Sequence, residues 1–410
     1  MKKRLDYKWV IVVLCFLMVM TTLGLCSSNK SLFLAPITEA LNIERSAYAI
    51  GDSCRFVATV IVNMFFASLI KRFGTKKLII AGFLSLIISS VLYAVGTTLI
   101  ELYIAGALLG VGLSWTTTTM VGWVVGMWCK KNKGTIMGAV LAANGVGGAL
   151  AAQLLSPIIY DESTKFGYRN AYLLVAAMLF AVCLLILIFF KEKPHQCEEV
   201  EEASTEKATV GFEYSAIKRM PQFYVLIACT FLNGVIFQGT SSVAVVHLKD
   251  VGFDSTFIAA IASFGTLVMT ISKMFSGYLY DKKGLRVATV CCNLAAIIAI
   301  PLLIISNVSA MGKIIVVVYA FIIQFALPLD TVMIPICISD LFGEKAYAKM
   351  LGTIVSVGSM GAALGTTLVN FGYDVFKTYV PMFAICLALA VAVTVMMQIV
   401  ILQMYKKKKD

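Results

Sequence analysis

The chain is built from long apolar runs that are separated by short polar segments. A helix needs about 20 apolar residues to cross a bilayer, and runs of this length recur throughout the 410 residues. Their pattern predicts an all-α integral membrane protein with twelve transmembrane helices. The predicted spans are residues 9–29, 46–70, 78–97, 100–127, 134–158, 169–190, 221–245, 255–280, 286–306, 312–338, 346–371 and 378–404.

One long hydrophilic stretch lies near the middle of the chain. It contains Pro194 and a group of glutamates between Glu198 and Glu206, a composition that is typical of a flexible acidic linker. The sequence therefore predicts three parts. These are an N-terminal six-helix bundle at 1–190, a cytoplasmic linker at 191–220 and a C-terminal six-helix bundle at 221–410.

A short motif of glycines and basic residues occurs twice, at 277–286 and, less completely, at 67–77. An offset of 210 residues aligns Gly74 with Gly284 and places Lys71 where the second copy has an aspartate. Repeats of this size in a membrane protein indicate two homologous halves with a substrate site between them. We expect the motif to take part in gating. The predicted gating residues in it are Gly74, Gly277, Asp281, Lys282, Gly284 and Arg286.

The distribution of charge predicts the orientation of the chain in the membrane. The sequence is 60% hydrophobic and 14% charged, with a net charge of +12. When both termini are placed in the cytoplasm, 25 of the 34 Lys and Arg residues lie on the cytoplasmic side and 7 outside, which is a strong positive-inside bias. The excess charge then faces anionic lipid rather than nucleic acid. We expect a multi-pass protein of the cell membrane with cytoplasmic termini.

Two charged residues near the start of the second predicted helix are three positions apart. A charge in the membrane interior costs about 2.5–3.5 kcal/mol or more, so it usually faces a cavity or a partner. Asp52 and Arg55 fall on one helix face and can pair. We expect a structural or gating salt bridge, with direct substrate contact as the alternative. Lys30 is expected near the outer end of the first helix.

Two further charges lie in predicted helices of the second half. Lys273 has no acidic neighbour at helical spacing, and the 210-residue offset aligns it with Asn63. A cation in one half and a neutral amide in the other favour binding of an anion. The alternatives are that Lys273 forms a structural pair with Asp330 or extends its ammonium group to the membrane surface. Asp330 lies between two prolines in the tenth helix and aligns with Thr116 at an offset of 214. It is a candidate proton carrier or charge-balancing group.

Polar side chains on other helices complete the predicted substrate site. Hydrogen bonding between helices is the alternative explanation for each of them. The candidates are Asn29, Asn63, Trp115, Thr116, Asn144, Asn233 and Gln238, with Ser28 and Gln324 as further members.

The second copy of the motif has the form Gly-x-x-x-Asp-(Arg/Lys)-x-Gly-x-(Arg/Lys), which resembles a loop of the major facilitator superfamily. The resemblance implies that superfamily's fold, with two pseudo-symmetric six-helix bundles. Residues 29–41, 166–172 and 247–253 resemble the group of monocarboxylate transporters and oxalate/formate antiporters. In monocarboxylate carriers, a lysine in the first helix and a cation four residues before the eighth-helix glycine engage the carboxylate. The resemblance assigns these roles to Lys30 and Lys273.

The sequence departs from that group at three positions. Met269 stands where monocarboxylate carriers have an aspartate, so their arrangement for proton coupling does not carry over. Lys71 replaces the aspartate of the first loop motif. Lys349 is the only cation of the eleventh helix and lies near its cytoplasmic end, so exchange of dianions is less expected than transport of monoanions.

These patterns predict a secondary transporter of a small organic anion, with a monocarboxylate as the favoured substrate. Transport would use alternating access with proton symport or anion exchange, and a monomer would suffice. The alternatives are an exporter of drugs or other amphipathic compounds and a carrier-like solute sensor. Neither a nucleophile–base pair nor a metal-ligand spacing is present, so we expect no enzyme activity, cofactor or metal.

Overall fold

The computed structural model describes residues 7–28, 30–43, 45–129, 132–159, 166–192 and 211–407, and almost all of them are helical. The chain divides into two compact units, Met1–Ala208 and Thr209–Asp410. The described part of the first unit contains nine helices. They are α1 (Tyr7–Val19), α2 (Lys30–Leu41), α3 (Arg45–Met64), α4 (Phe66–Phe73), α5 (Thr75–Val95), α6 (Leu99–Thr116), α7 (Thr118–Trp128), α8 (Lys133–Ile159) and α9 (Gly167–Phe189).

The second unit contains seven α-helices in its described part. They are α10 (Tyr214–Ile217), α11 (Pro221–Val251), α12 (Ser255–Ile304), α13 (Ala310–Ile323), α14 (Ile334–Phe342), α15 (Tyr347–Phe376) and α16 (Val380–Lys407). Among the described residues, each unit also has one π-helical turn, Met20–Leu25 directly after α1 and Leu329–Met333 directly before α14.

The lengths of the apolar helices agree with a membrane protein. In the described ranges, nine helices are long and apolar enough to span a bilayer, or ten if the bent pair α3–α4 forms one span. The apolar part of α12, Ser263–Ile304, has 42 residues. At 1.5 Å per residue it measures about 63 Å, which is twice the thickness of the hydrocarbon layer. The number of twelve spans stays a prediction.

Several of the predicted spans contain a bend or a break. The predicted span 46–70 bends by 62° between α3 and α4, and the span 100–127 breaks at Thr117. The tenth span breaks between α13 and the π-helical turn, because Pro328 has no N–H to donate. Lys30 begins α2 rather than lying at the end of the first helix.

The two copies of the loop motif have the same backbone geometry at their aligned glycines. Gly74 has φ 80° and ψ 166°, and Gly284 has φ 82° and ψ 173°. A side chain strongly disfavours this positive φ, so glycine is required for the turn. Gly284 thus interrupts the helical backbone of α12 and separates two helical stretches. The offset of 210 residues is therefore visible in the structure of both units.

Glycines on the fifth predicted helix allow close packing against the first. A Cβ atom added to Gly147 would lie 2.1 Å from the carbonyl oxygen of Met20, and one added to Gly24 would lie 2.5 Å from the Cα of Gly147. The glycine that aligns with Gly147 in the second unit, Gly361, makes an equally close approach to the carbonyl oxygen of Phe231. These contacts are possible only without side chains, as expected for helix interfaces in membranes.

The last part of the predicted linker contacts the loop after α14 and includes the short helix α10. The N–H of Phe212 donates to the carbonyl oxygen of Phe342 at 3.1 Å, and Lys345 Nζ lies 2.9 Å from Glu213 Oε1. The hydrogen bond and the charge of Lys345 lower the pKa of the Glu213 carboxyl. These contacts with the loop after α14 could not be read from the acidic composition of the linker.

Candidate functional site

Three charged side chains meet inside the first unit. Lys30 at the start of α2 pairs with Oδ1 of Asp52 on α3, and Arg55 Nε lies 3.2 Å from the same oxygen. The contact between Asp52 and Arg55 that the spacing predicts is therefore present. Lys30 was expected to act on the substrate, and the structure adds it to this pair. We call Lys30, Asp52 and Arg55 the charged cluster.

Close packing of α3 against α6 positions the charged cluster. A Cβ on Gly106 would lie 2.4 Å from the carbonyl oxygen of Gly51, and a Cβ on Gly110 would lie 2.2 Å from that of Arg55. The hydroxyl of Thr59 donates to the carbonyl oxygens of both Arg55 and Gly110, at 2.9 and 3.2 Å. The backbone of α3 is thus held against α6 at the residues that carry the charges.

Aromatic rings surround the lysine of the charged cluster. Lys30 Nζ lies 5.8 Å from the ring centroid of Tyr93, which is within the range of a cation–π interaction. Tyr93 stacks on Tyr172 with centroids 5.1 Å apart, and Tyr172 stacks on Phe33 at 4.1 Å. A cavity of about 10 Å³ beside these residues has room for about one water molecule.

The other predicted site residues of the first unit have different surroundings. Ser28 donates to Asn144 Oδ1 at 2.6 Å, which joins the end of the first helix to α8. Thr116 donates to the carbonyl oxygen of Gly112 within α6. Asn63 is 1% exposed, and neither of its amide atoms has a hydrogen-bond partner in the described part of the chain. Asn29 lies outside the described residues.

The indole N–H of Trp115 is also buried without a hydrogen-bond partner among the described residues. Its Cβ lies 3.1 Å from the position that a Cβ on Gly82 would take, so α6 and α5 pack closely there. Buried polar atoms without partners are rare in proteins. Trp115 and Asn63 therefore stay candidates for contact with a bound molecule.

Lys273 is the most deeply buried charge in the second unit. Lys273 is 2% exposed. Among the described residues, no other Lys, Arg, Asp or Glu is buried. The neighbouring Ser272 donates to the carbonyl oxygen of Gln324 at 2.7 Å. This hydrogen bond attaches α12, next to Lys273, to the residue where the tenth helix breaks.

Asp330 lies within the π-helical turn Leu329–Met333. Its Oδ1 is buried and has no hydrogen-bond partner in the described ranges. A structural pair of Asp330 with Lys273 stays an alternative to a role in proton transfer. Single π-helical turns are frequent at functional sites. The apolar pattern did not predict the π-helical turn, although the flanking prolines indicated an irregular helix.

The two remaining site candidates of the second unit lie on α11. Asn233 is buried and lines a cavity of about 10 Å³ together with Cys229, Leu329 and Cys337. Leu329 is the neighbour of Asp330, so this cavity adjoins the π-helical turn. Gln238 is partly buried.

A carboxylate from outside the loop motif contacts its first copy, and the sequence did not predict this contact. The carboxylate of Glu192, just after α9, accepts a hydrogen bond of 2.6 Å from the backbone N–H of Lys76. Lys76 lies in the first turn of α5, where a negative charge is favourable because of the helix dipole. Lys71 replaces the motif's aspartate here, and Glu192 supplies a carboxylate to the same loop. The position of Glu192 directly after an apolar helix was the one feature of the sequence that could have indicated this contact.

The motif residues of the second unit occupy the middle of α12. Gly277 is buried, Asp281 is partly buried, and Lys282 and Arg286 are exposed. Lys282 Nζ lies 5.9 Å from the ring centroid of Tyr278. The structure thus places the predicted gating residues at the turn around Gly284, and their role in gating stays a prediction.

A helical membrane protein with an internal repeat and with ionisable groups inside its apolar helices has the features of a secondary transporter. Comparison with known proteins agrees. The sequence profile of the Major Facilitator Superfamily matches residues 9–366, and the chain belongs to this superfamily. Its members and structural neighbours described below are transporters rather than enzymes.

The curated relatives are distant but cover most of the chain. The uncharacterized MFS-type transporter YcxA of Bacillus subtilis is 24% identical over 93% of this chain and 92% of its own length. The sialic acid transporter NanX of Escherichia coli is 24% identical over 81% of this chain and 80% of its own length. Monocarboxylate transporter 13 of Bos taurus is 24% identical over 80% and 74%, and multidrug resistance proteins also match.

The fold agrees with solved transporter structures. The superfamily transporter FucP in the outward conformation has a TM-score of 0.75 at 13% identity, covering 96% of this chain and 99% of FucP. The predicted fold class, an all-α membrane protein of the major facilitator type, is therefore confirmed.

Proposed function

We propose that the protein is a secondary active transporter of a small organic anion, with a monocarboxylate as the favoured substrate. Alternating access would be coupled to proton symport or to anion exchange. Lys273 and Lys30 would attract the carboxylate, and Asp330 would carry a proton or balance charge. The polar groups of Asn63, Trp115 and the other site candidates would contact the rest of the substrate.

The burial of Lys273 is the observation that carries this proposal. An ammonium group in an apolar helix is costly, and such residues usually bind an anion or a carboxylate. An anionic substrate fits a buried cation better than a neutral or cationic substrate does.

Two of the relatives are named for acids, NanX for sialic acid and the bovine protein for monocarboxylates. Their identity to this chain is low, so they support the class of substrate and not a particular compound. The sequence resemblance to monocarboxylate carriers at Lys30 and Lys273 points to the same class.

Uptake into proteoliposomes tests the proposal. Labelled small carboxylates would be offered with and without an inward proton gradient, to wild type and to the Lys273→Ala variant. We expect saturable uptake by wild type and a loss of at least about tenfold in Lys273→Ala. Lys313→Ala is the matched control, because it removes the same charge from an exposed position. Unchanged uptake by Lys273→Ala would contradict the proposal.

Export of drugs is the second candidate function. Four of the relatives are named multidrug resistance proteins, one of them 25% identical over 274 residues. The same proteoliposomes would be tested with neutral and cationic amphipathic compounds. Transport of these compounds without transport of any carboxylate would favour export.

A further inference from the structure

We propose that the charged cluster selects substrates by their charge, and that Asp52 sets this selectivity for monoanions. The cluster would bind one carboxylate group of the substrate between Lys30 and Arg55, on the side where Asp52 lies. This inference rests on the proposed function and assigns Asp52 and Arg55 to the substrate site rather than to gating alone.

The three side chains of the cluster differ in their exposure. Lys30 is 14% exposed and Arg55 19%, whereas Asp52 is 42% exposed. The two cations are therefore recessed, and the carboxylate lies at the open side. Both cations contact a single oxygen of Asp52, Oδ1. The carboxylate of a substrate that reaches the cluster would therefore meet two cations whose only carboxylate partner in the cluster is Asp52.

The net charge of the cluster is +1, since two cations surround one carboxylate. No ion pair other than those within the cluster involves these three side chains in the part of the chain that the structure describes. An uncompensated charge in a membrane helix is costly. A bound monoanion would bring the charge of the cluster itself to zero, whereas a dianion would leave it at −1. The cluster therefore favours a monoanionic substrate.

Close packing restricts how far the residues of the cluster can rearrange around different anions. The stacked rings of Phe33, Tyr172 and Tyr93 pack beside Lys30, and all three residues are buried. The backbone at Arg55 is held against Gly110 by a contact that leaves no space for a side chain. With the backbone at Arg55 held in place, the charge of residue 52 is the term that a substitution can change without moving α3.

The test compares binding of acids that differ mainly in charge. Butyrate and succinate form one pair, and benzoate and phthalate form a larger pair. Binding would be measured by calorimetry on the purified full-length protein at about pH 7.5, where both carboxyl groups are ionised. The variants are Asp52→Asn and, as the matched control, Glu39→Gln, which removes a carboxylate from an exposed position on α2.

We expect wild type and Glu39→Gln to prefer the monoacid of a pair. In Asp52→Asn the cluster carries +2, so the ratio of monoacid to diacid affinity should fall by at least about tenfold. An unchanged ratio in a variant that still binds the monoacid would overturn the inference and leave the proposed function standing. If wild type binds neither monoacid, the proposed function fails with it.

A second variant keeps the inference testable if Asp52→Asn does not fold. Arg55→Gln lowers the net charge of the cluster to zero, so monoacid binding should weaken by about tenfold or more. Size-exclusion chromatography would establish that each variant is folded. Monoacid binding of wild-type strength in folded Arg55→Gln would overturn the inference.

Discussion

Asp330 shows how one residue can combine three unusual features. It is acidic within an apolar helix, it lies in a π-helical turn, and its Oδ1 is buried without a hydrogen-bond partner among the described residues. A carboxyl group in such surroundings can change its protonation state during a transport cycle.

We therefore predict that Asp330→Asn separates proton coupling from transport. The amide has nearly the same shape but cannot ionise, so stimulation of uptake by a proton gradient should disappear. Exchange of labelled for unlabelled substrate across the membrane should persist. The measurement is uptake and counterflow in proteoliposomes, with Asp250→Asn as the control because Asp250 is exposed. Full proton-driven uptake by Asp330→Asn would refute the role of this residue.

At the scale of the element, the irregular helices matter most. The fourth predicted helix breaks at Thr117 and the tenth at residues 324–328. Thr116 and Asp330 align through the offset of 214 residues, so both units interrupt a helix near the matching position. Hydropathy analysis treats each of these helices as a single apolar run, because averaging over a window hides a local break.

The start of α6 allows a direct test of helix capping in this protein. Thr98 accepts a hydrogen bond from the N–H of Glu101, and the Glu101 carboxylate accepts from the N–H groups of Thr97 and Thr98. Thr98→Ala should reduce stability by about 1 kcal/mol. Thr97→Ala is the control, since only its backbone N–H takes part. Thermal unfolding in detergent measures both, and equal losses would contradict the assignment of the cap.

At the scale of the whole molecule, the pattern of charge predicts topology. Cytoplasmic placement of both termini requires an even number of spans, and the positive-inside bias favours that placement. The predicted location in the cell membrane follows from the same pattern. We propose that one chain suffices for transport, because each chain contains both repeats.

Reporter fusions test this topology. A fluorescent protein fused to the C-terminus should be bright, and alkaline phosphatase fused there should be inactive, since each reporter works only on one side of the membrane. Fusions after residue 208, between the two units, should behave in the same way. Active phosphatase at either position would show that the predicted orientation is wrong.

The sequence alone determined the membrane class, the internal repeat and the position of two glycines at which the chain turns sharply. Apolar runs set the class because the bilayer imposes one length and one polarity on every span. Gly74 and Gly284 were recognisable because a turn with positive φ leaves little choice of residue. The spacing of Asp52 and Arg55 predicted their contact, since neighbours at three positions share a helix face.

Only the tertiary structure decided which of the distant groups meet. Lys30 joins Asp52 and Arg55 because α2 and α3 are placed by packing, and no periodicity of the sequence encodes that contact. Glu192 reaches the first turn of α5 across more than a hundred residues of chain. The π-helical turn at Asp330 likewise depends on how its neighbours pack. Contacts between helices follow from close approach of backbones, which hydropathy and spacing within one helix do not describe.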